Sequence, residues 1–266
     1  MKRDRVAEHN RRMWDRLAKA GIAYTRPQGK PPRTLAGLRK FLDPHGRLRG
    51  VRLRGAQVLA LAAGGGWDAV LFVKLGATTT LFDISRRQLE TVRTLARKER
   101  ATIRFVQGNM KDLSVFDDAS FDVVWHSHSL VFMDDAATVF KEVGRVLAPG
   151  GTYRMSTVHP TTIRLYGTYD GQGWHPLVPY FKNASIPWKD GDAGFWEIDG
   201  KRVFAPTLEY GHRIETIING VVAGGMVVDG LWEYSPKPIK RVTPGSDEHL
   251  ESLFPAYLEI RARRLH

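Results

Sequence analysis

The sequence predicts an open, doubly wound α/β sheet of seven mostly parallel strands, closed by an antiparallel hairpin from the C-terminal end. Three observations carry that reading. Between residues 56 and 158, short β-branched or apolar runs alternate with amphipathic helical stretches. A glycine triplet, Gly64-Gly65-Gly66, follows the first of those runs. Two further strand-like runs return near the C-terminus, after a long aromatic stretch. Strand–helix alternation with short connections implies a parallel sheet covered on both faces, and right-handed crossovers leave few other topologies.

Taken in order, residues 5–19 read as a helix with Val6, Met13, Trp14 and Leu17 on one side and charges opposite, ended by Gly21. The Pro- and Gly-rich stretch 24–32 is a loop, and a short helix at 35–42 is closed by Asp43-Pro44. Residues 57–63 are the first strand, 67–75 a helix ended by Gly76, and 78–84 a second strand with Asp83 near its end. Ser85 with Gln88 three residues later is a capping-box pattern, opening a helix whose buried stripe is Leu89, Val92 and Leu95. Residues 102–106 and 121–126 are the third and fourth strands. Val139, Phe140, Val143, Val146 and Leu147 mark a helix that Pro149-Gly150-Gly151 should stop before a fifth strand at 152–158.

Residues 159–207 break the rhythm. They hold nine of the chain's 27 aromatic residues in an irregular stretch rich in Gly and Pro, which reads as a lid or substrate pocket. Beyond it, 212–222 is helical with Ile214, Ile217, Ile218, Val221 and Val222 buried. Residues 226–232 and 258–265 are strands joined by a loop carrying Pro236, Pro238 and Pro244. The expected organisation is a basic helical cap over 1–55, a core over 56–158, an aromatic insertion over 159–207, and a C-terminal part over 208–266 that completes the sheet.

Composition narrows the chemistry. With no cysteine among 266 residues, a disulfide, a thiolate metal site and a cysteine nucleophile are all excluded. Apolar runs such as 57–63 and 220–228 fall short of the ~20 residues that span a bilayer. The N-terminus, Met1-Lys2-Arg3-Asp4-Arg5, leads into charge rather than an apolar segment, so the expected location is the cytoplasm. The net charge of +12 resides in residues 1–55, where 16 Lys and Arg face four Asp and Glu; the rest of the chain holds 24 of each sign. Such an arm can serve an anionic partner or simply keep the protein soluble.

Doubly wound sheets bind ligands beyond the carboxyl ends of their strands. Gly64-Gly65-Gly66 lets a ligand approach the backbone closely, and the following helix offers unpaired N–H groups. Asp83 stands where a carboxylate can accept both hydroxyls of a ribose, so the pair points to a nucleoside-containing cofactor. The series from Ala62 to Ala69 lacks the G-x-G-x-x-G of dinucleotide folds, which argues against a nicotinamide cofactor.

Five stretches resemble one family. They are Val58-Leu59-Ala60-Leu61-Ala62-Ala63-Gly64-Gly65-Gly66, Leu81-Phe82-Asp83-Ile84-Ser85, the run from Gly108 to Leu113, the run from Ser120 to Trp125, and Arg145-Val146-Leu147-Ala148-Pro149-Gly150-Gly151. In this order they resemble the class I S-adenosylmethionine-dependent methyltransferases, in particular their small-molecule type 11 branch, over residues 56–158. The resemblance implies a Rossmann-like methyltransferase fold with S-adenosylmethionine as cofactor and S-adenosylhomocysteine as product. It further implies that Ala62, Ala63, Gly64 and Gly66 run beside the cofactor's methionine part, Asp83 binds the ribose and Ile84 packs on the adenine. Asn109 would accept from the adenine amino group, the Met110 N–H would meet a ring nitrogen, and His126 would lie near the amino-acid end. Tyr24 would cover the cofactor from the N-terminal loop. The chain departs from the family where Ala60 replaces an acid that anchors the cofactor's ammonium, where Ala62 replaces a glycine, and where Asn109 replaces an aspartate.

Methyl transfer needs in-line positioning and, for some acceptors, a base. His128 after the fourth strand and His159 after the fifth are the expected bases, with His175 a weaker candidate. No cluster has metal-ligand spacing, so no metal is expected. His126-Ser127-His128-Ser129 lacks the Asn/Asp-Pro-Pro-aromatic motif used on exocyclic base amines, and the aromatic insertion suits a planar or apolar small molecule. The expected function is methyl transfer to such a metabolite. The alternatives are an RNA methyltransferase gripping phosphate with its basic arm, and a cofactor-binding protein without catalysis. No membrane partner is expected.

Overall fold

A computed structural model describes residues 4–188, 194–198, 200–235 and 242–265. Helix α1 (Arg5–Ala20) begins where Asp4 accepts the Ala7 N–H at 3.0 Å and ends where Gly21 turns left-handed at φ 65°. Helix α2 (Leu35–Leu42) is capped by Thr34. Then β1 (Gln57–Leu61), α3 (Asp68–Lys74), β2 (Thr78–Asp83), α4 (Arg86–Glu99), β3 (Ile103–Gln107), β4 (Phe121–Ser127), α5 (Ala136–Val146) and β5 (Leu147–Val158) alternate as the pattern predicts. The remainder holds β6 (Phe195–Ile198), β7 (Lys201–Phe204), α6 (Ile214–Ala223), β8 (Met226–Tyr234), α7 (Asp247–Leu253) and β9 (Tyr257–Arg264).

Seven strands form one sheet in the order β3-β2-β1-β4-β5-β9-β8, and β6 pairs with β7 in a separate hairpin. β1 to β5 are parallel to one another, whereas β9 runs antiparallel to both β5 and β8. Side chains alternate between two cores. Leu59 and Leu61 join Val124 and Tyr153 under α5 and α6, while Val58 and Val123 pack with α2 and α3, and Ala60 with α3 and α4. Burying both faces is what makes β1 nearly all apolar.

Several local expectations need correction. Pro149-Gly150-Gly151 does not separate α5 from β5; the strand begins at Leu147 and runs through it. Phe121 pairs with Leu147 and Val123 with Thr152, so four β5 residues bulge out opposite one, with Gly150 at φ 73°. The capping box is half formed: the Ser85 hydroxyl accepts the Gln88 N–H at 3.2 Å, but the Ser85 N–H donates to Asp83. Helix α6 starts at Ile214 because Arg213 is extended and the His212 ring is hydrogen-bonded to the Met133 carbonyl at 2.7 Å. Val222 points outward and is 56% exposed. Helix α7 was not expected. Its seven residues bury only Leu250, too little for a periodic signal, and its start rests on Ser246 accepting the His249 N–H. Pro236 and Pro238, like Met1 to Arg3 and His266, lie outside the described residues.

One buried ionic knot locks β5 to β9. Glu259, 1% exposed, is bonded to Arg154 of β5 and to Arg47 Nε at 2.5 Å, with the His45 ring at 3.4 Å. Arg154 also stacks over the Trp125 ring at 4.1 Å. Burial alone would raise the Glu259 carboxyl, but the two arginines hold it below its ordinary range. Removing one partner from such a pair strands the other as an unpaired buried charge. Glu259→Ala is expected to lower the unfolding free energy by about 3–5 kcal/mol, read from denaturant melts at neutral pH.

Candidate active site

At the carboxyl ends of β1, β2 and β4 lies a cavity of about 530 Å³. The turn after β1 forms its floor. Ala62 leaves the strand at φ 48° with its N–H donating to the Phe82 carbonyl at 2.7 Å, and Gly65 turns at φ 84°. A Cβ on Gly64 would lie 2.7 Å from Asp83 Oδ2, and one on Gly65 would lie 2.4 Å from Gln88 Oε1. On Gly66 it would meet nothing within 4 Å. Gly64 and Gly65 therefore let the turn fit beneath Asp83 and Gln88, while Gly66 leaves bare backbone facing open space.

Asp83 holds this floor. Its Oδ2 accepts the Gly64 N–H at 2.9 Å and its Oδ1 accepts the Ser85 N–H at 2.8 Å, tying the end of β2 to the glycine turn and to the start of α4. Burial dominates its titration and pushes the carboxyl up to about 6, against the pull of the two N–H donors. Ala63, Ile84 and Met110 line the same cavity, as does Asn109. The Asn109 side chain is already engaged: its amide oxygen accepts the Lys111 N–H at 3.1 Å and its amide nitrogen donates to Asp4 at 3.0 Å. One lone pair of that oxygen remains for a ligand.

The roof comes from parts of the chain distant in sequence. Helix α1 is fastened over the cavity by Asp15, which accepts from the Ser85 hydroxyl at 2.7 Å, and by Asp4, whose carboxylate meets Lys111 Nζ at 2.5 Å. From it, Trp14 stands edge-on to Phe132 and to Trp196, with ring centroids 5.0 and 5.6 Å away. Tyr24 meets Trp196 in the same manner at 6.3 Å and lines the cavity, though 63% exposed. Buried Asn10 clamps the strip that follows the aromatic stretch. Its amide accepts the Leu208 N–H at 2.8 Å and donates to the carbonyls of Leu208 and Phe132. That strip delivers Glu209 to the cavity wall. Burial pushes its carboxyl up to about 7, against a hydrogen bond from Thr207 Oγ1 at 2.7 Å.

The histidines divide. His128 lines the cavity at φ 50°, edge-on to Tyr257 at 4.9 Å; burial and the nearby Arg154 charge push its ring down to about 4. His126 does not reach the cavity. It is fully buried within the sheet, with Nδ1 2.9 Å from the Tyr153 hydroxyl, and burial brings its ring down to about 3. His159 is also outside. Its Nδ1 accepts the Thr161 N–H at 3.2 Å, which leaves Nε2–H to donate to Glu233 at 2.8 Å, so both ring nitrogens are spent on structure. His175 is exposed and paired with Asp170. Sequence reasoning missed Asn10, Trp14, Asp68 and Glu209. No local motif marks Asn10, Trp14 or Glu209, because only the tertiary fold brings α1 and the 207–210 strip over the strand ends. Asp68, by contrast, stands two residues past Gly66 at the start of α3, where an acid reads as an ordinary helix-start residue.

Among the described residues no group of three or more His, Asp or Glu could hold a metal ion, and no helix is long and apolar enough to cross a membrane. A profile of the "Methyltransferase domain" family matches residues 59–155. An uncharacterized methyltransferase, YbaJ of Bacillus subtilis, is 35% identical over 182 residues, which span 68% of this chain and 69% of that protein. The chain belongs to the class I S-adenosylmethionine-dependent methyltransferases. Among solved structures, an S-adenosylmethionine-dependent methyltransferase from Mesorhizobium loti superimposes with a TM-score of 0.64 at 23% identity, covering 87% of this chain and all of the other. The demethylmenaquinone methyltransferase of Lactococcus lactis is 37% identical over 114 residues, 41% of this chain and 45% of that enzyme.

In this methyltransferase the three glycines of the turn have different tasks. Gly65→Ala should lose about 1–3 kcal/mol of stability, because it combines positive φ with a Cβ driven into Gln88. Gly66→Ala should melt within about 0.5 kcal/mol of the parent. Equal losses in paired thermal melts would contradict this division.

Proposed function

We propose that this methyltransferase transfers the methyl of S-adenosylmethionine to a small, planar or apolar acceptor enclosed between the glycine floor and the aromatic roof. The observation that carries this is the cavity itself. About 530 Å³ lies within the usual range for small-molecule sites, and one continuous space joins the Asp83 floor to Trp14, Phe132, Trp188 and Trp196. The residues present fit the cofactor. Bare backbone at Gly66 allows close approach, Asp83 can take the ribose hydroxyls, and Ile84 and Met110 offer apolar surface to a base. Asp68, Asp83 and Glu209 line the cavity, whereas no Lys or Arg does among the described residues, as suits a ligand bearing sulfonium and ammonium. When bound, the cofactor supplies an already activated methyl group; the chain's part is to align, dry and deprotonate.

Enclosure by aromatic faces keeps water from the reacting groups and orders a flat acceptor. The name of the Lactococcus relative, which specifies a demethylmenaquinone, is of this kind. A polymer acceptor is favoured less by the charge layout. Arg49, Arg52, Arg54 and Arg263 gather in a groove with Gly55 and Asp122 at the opposite, amino-terminal ends of the strands, away from the cavity. The test is transfer of labelled methyl from S-adenosylmethionine to hydroxylated aromatics and quinols, set beside total RNA. Label should enter the small molecules, and Asp83→Ala should abolish both the transfer and the binding of S-adenosylhomocysteine. Label confined to RNA would overturn the reading.

Where the acceptor must lose a proton, we assign the base to Glu209 rather than His128. A base works best with a pKa near the working pH, and about 7 meets that where about 4 does not. Below pH 7 the Glu209 carboxyl holds its own proton and cannot accept another, so kcat should rise through pH 7 and level off above it. Glu209→Gln should remove that limb and lower kcat by about 10²-fold or more while leaving the affinity for S-adenosylhomocysteine intact. A profile unchanged in Glu209→Gln would remove it from this role.

A further inference from the structure

We propose that Asp68 is the anion that receives the ammonium of the cofactor's amino-acid end, in place of the acid absent at Ala60; the inference rests on the cofactor reading above. Ala60 is fully buried among Val70, Leu81 and Leu89 and has no polar side-chain atom. The missing charge reappears eight residues later on the first residue of α3. Asp68 Oδ2 accepts the Trp125 Nε1–H at 2.9 Å, and the Ser127 side chain favours the charged form of the same carboxylate. Trp125 and Ser127 belong to β4, whereas Asp83 closes β2, and β1 lies between those strands. The two carboxylates therefore flank the glycine turn on opposite sides. A ligand whose ribose sits at Asp83 and whose chain crosses the turn ends at Asp68.

The other cavity carboxylates have different duties. Asp83 gives an oxygen to each of two backbone N–H groups, and Glu209 belongs to the roof beside Thr207. Among the described residues Asp68 forms no ion pair: Arg154, which acts on it through space, is bonded to Glu259. Burial raises the Asp68 carboxyl above its ordinary range, so an arriving cation would relieve an unfavourable charge. The Trp125 hydrogen bond fixes its orientation beforehand, so little ordering is left for the ligand to impose.

The test compares two ligands by calorimetry: S-adenosylhomocysteine, and its deaminated analogue carrying a hydroxyl in place of the ammonium. The parent protein should prefer the amine by roughly tenfold or more, as charge-assisted hydrogen bonds do. Asp68→Asn, which can still accept from Trp125, should bring that preference close to one while leaving the analogue's affinity nearly unchanged. Asp68→Ser serves as a second neutral variant should the amide disturb folding. A preference that survives in whichever neutral variant folds would overturn the assignment, as would equal weakening of both ligands. Failure of the parent to bind S-adenosylhomocysteine at all would instead sink the cofactor reading, and the two failures are thereby distinguishable.

Discussion

The carboxylate of Asp83 is the keystone of this molecule's working end. It ends β2, receives one N–H from the glycine turn after β1 and one from the start of α4, and so sets the spacing between three elements. The turn beneath it is possible only because Gly64 and Gly65 lack side chains, and because Ala62 tolerates a left-handed backbone that most residues avoid. A buried acid held by N–H donors costs less to ionise than a bare one, yet its pKa near 6 shows that desolvation still wins. The floor is thus pre-shaped for hydrogen-bond donors arriving from above.

Around that floor the chain separates two kinds of charge. Carboxylates face the cavity, and an arginine-rich groove occupies the other rim of the sheet. The bias of +12 visible in residues 1–55 is therefore not a property of the working cleft. Part of the same segment instead contributes its inward side: Trp14 and the hydrogen-bonded Asn10 come from the helix that carries Arg11, Arg12 and Arg16 on its flanks. One helix thereby covers the cleft with aromatic surface while its cationic side chains stay wet.

The alternating core was legible because each element there obeys a local rule. Strands β1 and β2 are short, apolar and bounded by glycine or charge, and α4 shows a clean stripe of Leu89, Val92 and Leu95. The glycine triplet and Asp83 were legible for the same reason, since their spacing is set by one β-α-β unit. What escaped depends on distant contacts. Pro149-Gly150-Gly151 looks like a stop, yet pairing with β4 and β9 carries the backbone onward as a bulge. His159 stands at a strand end where a base is sought, but Thr161 and Glu233, the latter 74 residues away, take both its ring nitrogens. His126, expected beside the cofactor, is buried in the sheet with its Nδ1 held by Tyr153, 27 residues away. Glu209 lies in an irregular strip with no period at all, and it takes its place from the clamp by Asn10, 198 residues from Leu208, and from the Ile186 N–H donated to its own carbonyl.

The position of β9 bears on how the molecule comes into being. The strand nearest the C-terminus is not at the margin of the sheet but wedged between β5 and β8, and it delivers Glu259 to Arg154, a residue 105 positions earlier. As the chain emerges from the ribosome, the first five strands can pair with one another, but the guanidinium on the fifth has no countercharge until residue 259 arrives. The nascent half-sheet must keep that edge hydrated, and the hydrophobic layer beneath α6 stays open with it. Consolidation is therefore postponed until residue 259 has been made, and shortening the chain before Glu259 would leave an unsealed edge rather than a smaller stable domain.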